Sequence, residues 1–129
     1  DISTCTELYE LEAFDNELSS LDLSNNPNLG LLIVALNPFT TAGFDSLMCS
    51  LPMKDTADGA AFISIYDASD ANYNVFMATN AKNATAKNWE VVDLSGEEIP
   101  ATTGDYDCNG GVQGFLSLRL LLFVLFAWR

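Results

Sequence analysis

The residues of this chain that most resemble a chemical site are oxygen-bearing side chains at alternating positions near its C-terminal end. In "DYDCNG", Asp105, Asp107 and Asn109 precede Gly110 with the spacing of a calcium loop. Calcium prefers oxygen ligands that are arranged around a glycine turn. The twelfth place of such a loop normally holds a bidentate carboxylate, and here it holds Leu116. A polar turn is therefore the default interpretation of this segment, and an incomplete calcium site is the alternative.

The other reactive side chains of the sequence do not assemble into a catalytic set. The chain has no His, which excludes Ser–His and Cys–His catalysis and a zinc site of ordinary composition. Paired acids, the residue type that a glycosidase uses, occur at Asp67 with Asp70 and at Glu97 with Glu98. Acids in turns between strands are usually solvated, and no pattern places two of them across a cleft. The sequence therefore predicts a protein that is not an enzyme and that requires no cofactor.

The elements that would position these side chains begin with an internal repeat. Segments beginning at residues 8, 18 and 29 follow the pattern L-x-x-L-x-L-x-x-N, with Ala13 and Val34 in the third apolar place. Each x-L-x-L is predicted to be a short strand whose alternate side chains point inward, and the Asn is predicted to bond backbone groups at the turn. Pro27 and Pro38 argue against the alternative, a Leu-rich amphipathic helix. Copies of this kind must stack to bury their apolar sides, so the pattern predicts a solenoid of parallel strands.

The repeats also carry a resemblance to a known class of protein. Residues 1–51 resemble the leucine-rich repeats of bacterial cell-surface proteins from anaerobes of gut and mouth, and "LYELEAFDNELSSLDLSNN" follows the repeat of that family closely. Ala13 stands where the family often has Cys. The later segments "FDSLMCSLP" and "ATAKNWEV" resemble the part that commonly follows such repeats. The resemblance implies an α/β protein in which a short leucine-rich-repeat solenoid is followed by an α/β cap.

The resemblance further implies that the strand face binds a protein or a glycan. The outward side chains of the predicted strands, which would carry this contact, are Glu10, Glu12, Ser20, Asp22, Leu31 and Ile33. Leu31 and Ile33 are apolar where solvent favours polar residues, so they are expected to lie under the cap or in an interface. Two hypotheses follow. The chain is either a binding and adhesion module or a purely structural end cap of a longer repeat array.

The chain divides into three parts by composition and pattern. These are the repeats over residues 1–39, a C-terminal cap over residues 40–113 and an apolar tail over residues 114–129. In the cap, the sequence predicts a helix before Pro52, strands over residues 60–68 and 89–94, and a helix over residues 74–88 between them. A strand–helix–strand unit favours parallel pairing, so the two cap strands are predicted to prolong the repeat sheet. The tail is shorter than the ~20 apolar residues that span a bilayer, and both a membrane-surface segment and a non-native tail stay open.

Charge and cysteine content indicate where the protein works. Asp and Glu number 18 against 5 Lys and Arg, which gives a net charge of −13. Such a surface repels phosphate, so no nucleic-acid partner is predicted, and membrane contact is expected only through the tail. No signal peptide precedes Asp1, and we expect a leader to have been removed and the protein to lie outside the cell or on its surface. Cys5 is expected to be a buried thiol and Cys49 part of the core. Cys108 could form a disulfide in an exported protein, but the sequence does not determine which cysteine it would pair with.

Overall fold

The computed structural model describes residues 1–109 and 111–112 of the chain. This part is a mixed α/β structure with a four-stranded parallel sheet, which confirms the predicted fold class at that level. In chain order its elements are β1 (Glu10–Glu12), β2 (Leu31–Ile33), α1 (Thr41–Ser50), a 3-10 turn (Thr56–Asp58), β3 (Ala61–Ile65), α2 (Tyr73–Met77), α3 (Lys82–Thr85), β4 (Glu90–Asp93), β5 (Tyr106–Asp107) and β6 (Gly111–Val112).

Strands β1 to β4 lie side by side in the order in which they occur along the chain. Glu10 pairs with Leu31, so the 21-residue offset of the sequence is the offset between the first two strands. Leu31 pairs with Ala61, and Ala61 pairs with Glu90. The prediction that the two cap strands prolong the sheet is therefore confirmed.

The repeat copy that begins at Leu18 does not form a strand, and the prediction of a strand there is wrong. Residues 18–26, called the return segment below, lie beside the end of α1, where Leu23 N donates to Ser50 Oγ at 3.0 Å. A strand requires a neighbouring strand to complete its ladder, and a helix supplies none. The return segment brings the chain back from the end of β1 to the start of β2, and this is why only every second copy enters the sheet.

The core lies between the sheet and α1. Leu32, Phe62 and Val91 pair in one row across the sheet and are buried. The predicted helix before Pro52 is confirmed. Its buried residues are Phe44, Asp45, Leu47 and Met48, and Leu51, just after the helix, is also buried. The side chain of Thr40 caps its first turn by accepting from Gly43 N at 3.0 Å.

The single helix predicted over residues 74–88 is wrong, because the structure has two short helices there, α2 and α3. Between them, Asn80 leaves helical pairing and bonds to distant parts of the chain. Its backbone N donates to Asp45 Oδ1 at 3.0 Å, and its side-chain Nδ2 donates to the Tyr106 carbonyl at 2.8 Å. These tertiary hydrogen bonds compete with the helix and interrupt it.

Cysteine exposure differs from the expectation in two respects, the first being that Cys49 is half-buried and lies outside the hydrophobic core. Cys49 and Cys108 form a disulfide that joins α1 to the β5–β6 hairpin, with their Cα atoms 5.4 Å apart. Cys5 is exposed, so the expectation of a buried thiol is wrong. Its carbonyl accepts from Asn26 Nδ2 at 2.9 Å, so the backbone holds its place in the repeat while the thiol faces outward.

The apolar tail predicted over residues 114–129 lies outside the described residues. Within the part that the structure describes, no helix is both long enough and apolar enough to cross a membrane.

Candidate binding surface

The sheet has an outer face, directed away from the core, that is apolar at its centre and acidic at its margins. It consists of Glu10, Glu12, Leu31, Ile33, Ala61, Ile63, Glu90 and Val92, and Val92, which pairs with Ile63, is buried. Side chains alternate between the two faces of a strand, and these residues alternate with the buried row of Leu32, Phe62 and Val91. Parallel pairing places them in register, so Glu12, Ile33 and Ile63 form one continuous row.

The centre of this outer face is partly open to solvent. Leu31, Ile33, Ala61 and Ile63 are half-buried, and none of them belongs to the hydrophobic core or packs against it. Helix α1 contacts both α2 and α3, so the three helices gather on the opposite side of the sheet. Parallel sheets usually have both faces covered, so this partly open apolar face is the candidate for an interaction site.

The margin at β1 carries concentrated negative charge. Glu10 and Glu12 are both exposed, and hydrogen bonding with the neighbouring Glu12 carboxyl raises the pKa of Glu10. Because side chains alternate along a strand, the two carboxyl groups point to the same side of β1. This part of the face is therefore suited to a partner that brings a positive charge next to an apolar group.

The structure brings together four of the six predicted contact residues. Glu10, Glu12, Leu31 and Ile33 share the outer face, whereas Ser20 and Asp22 lie in the return segment, and their assignment to the strand face is wrong. The carboxylate of Asp22 accepts from Ser24 N at 2.9 Å, and the hydrogen bonds from Ser24 lower its pKa. Asp22 therefore stabilises a local turn and is not part of the sheet.

Sequence reasoning missed the contribution of the cap to this surface. Ala61, Ile63 and Glu90 complete the rows begun by the repeats, although they lie outside the repeat pattern. The alternation within "AAFISIY" indicated which residues share a side of β3. It did not indicate the register with β2, which depends on tertiary packing.

Among the candidate calcium ligands, Asp107 and Asn109 take part in local hydrogen bonding. Asp107 is buried in β5, and its Oδ1 accepts from Asn109 N at 2.8 Å, while Asp105 is exposed. Among the described residues no group of three or more His, Cys, Asp or Glu side chains is placed to hold a metal ion. Gly110 and Leu116 lie outside those residues, so the calcium alternative stays a prediction that calorimetric titration with calcium would test.

The paired acids considered for catalysis also have local roles. Asp70 is buried, and its two carboxylate oxygens accept from Tyr66 N and Asn72 N, each at 2.8 Å. Asp67 accepts from Ser69 N at 2.7 Å in the same turn. These bonds shape the chain after β3. They leave neither acid paired with a second carboxylate across a cleft.

A cavity of about 380 Å³ lies beside β4, at the far edge of the sheet. Trp89, Val91 and Ile99 supply apolar walls, and Lys82 with Glu98 supplies opposite charges. No described side chain is both buried and unpaired at this cavity.

The chain matches no protein-family model, no curated protein and no solved structure.

Proposed function

We propose that this chain is a non-catalytic binding module of an exported or cell-surface bacterial protein. In this proposal a short leucine-rich-repeat solenoid, followed by an α/β cap, presents the outer face of its sheet to a partner protein. The observation that carries the proposal is the open row of aliphatic side chains at the centre of that face, bordered by Glu10 and Glu12.

Two contacts support the solenoid. Asn37 and Asn26 end successive copies of the pattern, and both are buried. Asn37 Nδ2 donates to the Ala13 carbonyl at 2.7 Å, and Asn26 Nδ2 donates to the Cys5 carbonyl at 2.9 Å. In each case the side chain reaches back to the preceding coil of backbone. This is the role that the repeat pattern requires of its Asn.

A protein is a better partner for this face than a glycan. The centre is aliphatic, and burial of aliphatic surface contributes about 25 cal/mol for each Å² removed from water. A glycan needs polar groups at the centre of its site, and there Leu31, Ile33, Ala61 and Ile63 offer none. Negative charge at the margin favours a basic partner and increases the rate of association.

A second function, the structural end cap, is favoured by the β1 end of the sheet. Leu11 and Leu18 are half-buried, whereas Leu32 and Phe39, which lie 21 residues later, are buried. Leu11 and Leu18 also line a cavity of about 390 Å³ at that end. A further coil of the same type would cover this surface. The end-cap function predicts that outer-face substitutions leave binding of any partner unchanged.

Two matched charge reversals separate these functions. Glu12→Lys changes the outer face, and Asp22→Lys makes the same charge change at an exposed position of the return segment. Peptides that bind the wild-type full chain would be selected from a random library. Their affinities for the wild type, Glu12→Lys and Asp22→Lys would be measured by fluorescence anisotropy. The binding function predicts at least a tenfold loss for Glu12→Lys and less than a twofold change for Asp22→Lys, with equal melting temperatures. Equal losses in both variants, or none in either, contradict it.

A further inference from the structure

We infer that a second set of residues, at the carboxyl ends of the strands, receives a linear segment of the partner in which basic and apolar residues alternate. This strand-end row consists of Phe14, Leu36, Tyr66 and Leu94. The inference rests on the proposed function, because it extends the same binding surface and specifies the chemistry of its partner.

The row has one member after each strand of the sheet. The exposed fractions are 38% for Phe14, 36% for Leu36, 43% for Tyr66 and 36% for Leu94, which are high values for large apolar side chains. The rings of Phe14 and Tyr66 have centroids 6.5 Å apart. Leu94 N donates to the Tyr66 carbonyl at 3.1 Å, which joins the ends of β3 and β4. The row therefore crosses the whole sheet.

Leu36 is in a backbone conformation that leucine rarely adopts. Its φ angle is 59°, and Asp15, which lies 21 residues earlier, has a φ angle of 53°. The coil requires a left-handed residue at this place, and Gly, Asn or Asp adopts that conformation more readily than Leu. The side chain of Leu36 is 36% exposed and does not belong to the hydrophobic core. A place in the core therefore does not account for a leucine here, whereas contact with a ligand would.

The outer face alone is too small to form a stable interface. Four strands about 4.8 Å apart and three to five residues long cover on the order of 300 Å². The exposed parts of the four row residues add roughly 300 Å², if each side chain is taken as about 200 Å² when fully accessible. The face and the row together supply about 600 Å², which is below the roughly 800 Å² that each partner buries in a stable complex, so the row brings the surface closer to that size and a transient complex is expected.

The charges beside the row select a basic partner. Tyr66 and Leu94 line a cavity of about 260 Å³ with Asp67 and Ser95. Next to it, Asp93 Oδ1 accepts from Ser95 N at 2.9 Å and from Glu97 N at 3.0 Å. The Ser95 side chain, followed by backbone N–H groups, holds the pKa of Asp93 below its ordinary value, so it remains ionised in mildly acidic solution. A basic side chain that follows an apolar one along an extended peptide would meet this carboxylate.

The probe for the test is a capped octapeptide of alternating arginine and leucine. Two matched octapeptides serve as controls, one with serine in place of leucine and one with glutamate in place of arginine. Affinities for the full chain and its variants would be measured by fluorescence anisotropy, and the site would be located from backbone amide shifts in NMR spectra. We expect the arginine–leucine peptide to bind at least tenfold more tightly than either control and to shift the amides of the row.

The decisive variant is Leu36→Asn. We expect it to bind the arginine–leucine peptide at least fivefold more weakly and to melt at the same temperature as the wild type or higher, because Asn accepts a left-handed φ. Met53→Asn is the matched control, since Met53 is a 68% exposed apolar residue outside the row, and its binding is expected to remain within twofold of the wild type.

The outcomes separate this inference from the proposed function. Suppose that Glu12→Lys weakens binding of the library-selected peptides, whereas Leu36→Asn changes neither the binding of these peptides nor that of the arginine–leucine octapeptide. The inference then fails and the proposed function stands. If neither variant weakens binding, both fail. The inference is also overturned if a control octapeptide binds as tightly as the probe, if a neutral oligosaccharide displaces the probe, or if Leu36→Asn lowers the melting temperature.

Discussion

Replacement of Asn37 by alanine tests how the repeat stabilises this fold. The side chain of Asn37 is buried, and its Nδ2 donates to the Ala13 carbonyl at 2.7 Å and to the Val34 carbonyl at 2.9 Å. Its Oδ1 accepts from Leu18 N at 2.9 Å. One side chain thus satisfies three backbone groups in two successive coils.

The expected cost follows from those three groups. Alanine would remove all three hydrogen bonds, although the Ala13 carbonyl would keep its bond from Asn16 Nδ2, and each lost hydrogen bond of this kind costs about 1 kcal/mol. We therefore expect Asn37→Ala to lower the free energy of unfolding by about 3 kcal/mol. Such a loss is a large part of the 5–15 kcal/mol that is typical of a single domain.

The assay is urea unfolding of the full chain, followed by circular dichroism and by tryptophan fluorescence, to which Trp89 and Trp128 both contribute. Asn16→Ala is the matched control, because Asn16 occupies the same place of the pattern 21 residues earlier but is exposed. Its Nδ2 donates to the carbonyls of Ala13 and Phe14, and we expect a loss of less than about 1 kcal/mol there. Equal losses in the two variants would refute the reasoning, since they would show that the buried bonds between coils contribute nothing beyond the exposed ones.

Three further predictions concern the cap. Reduction of the Cys49–Cys108 disulfide, whose cysteines lie 59 residues apart, should lower the free energy of unfolding by about 4 kcal/mol, and an unchanged melting temperature after complete reduction would contradict this. Lys87 Nζ donates to three carbonyl oxygens at the end of α1, at 2.6, 3.0 and 3.3 Å, so Lys87→Met should cost about 2 kcal/mol in urea unfolding. Exposed Lys82 is the control, and Lys82→Met should cost much less. Burial raises the pKa of the Asp45 carboxyl, so the folded state binds its proton more tightly than the unfolded state. The contribution of Asp45 to stability is therefore greatest below its ordinary pKa and is lost as pH rises through the raised value. Thermal melting should show that the melting temperature of Asp45→Asn rises relative to that of the wild type as pH rises over that range. A difference in melting temperature that does not change with pH would contradict the assignment.

The outer face of the sheet was partly predictable from the sequence. The pattern identified Glu10, Glu12, Leu31 and Ile33 as outward residues, because alternation within a strand is a local property. The same reasoning failed at Ser20 and Asp22. The same spacing of Leu and Asn fits a repeat of 10 or 11 residues and a repeat of 21 residues. Only the presence or absence of a neighbouring strand distinguishes the two repeat lengths.

Several features of the cap depended on contacts between residues far apart in the chain. The pairing of Cys49 with Cys108 could not be read from the sequence, because any two of three cysteines can pair until their Cα positions are known. The break between α2 and α3 likewise depends on Asp45 and Tyr106, which bond Asn80 from 35 and 26 residues away. Helical periodicity contains no information on such partners.

The sequence by itself determined the repeat pattern, the parallel pairing of the repeat and cap strands, and the hydrogen bonding of the Asn of the pattern to backbone groups. These features arise from side-chain periodicity and from the demand of each backbone group for a partner, and both act over short stretches of chain. Only the tertiary structure decided that Ile33 lies beside Ile63, that Tyr66 reaches Phe14, and that the outer face is open. Those features depend on register and on the side of the sheet that the helices cover, and packing of the whole chain sets both.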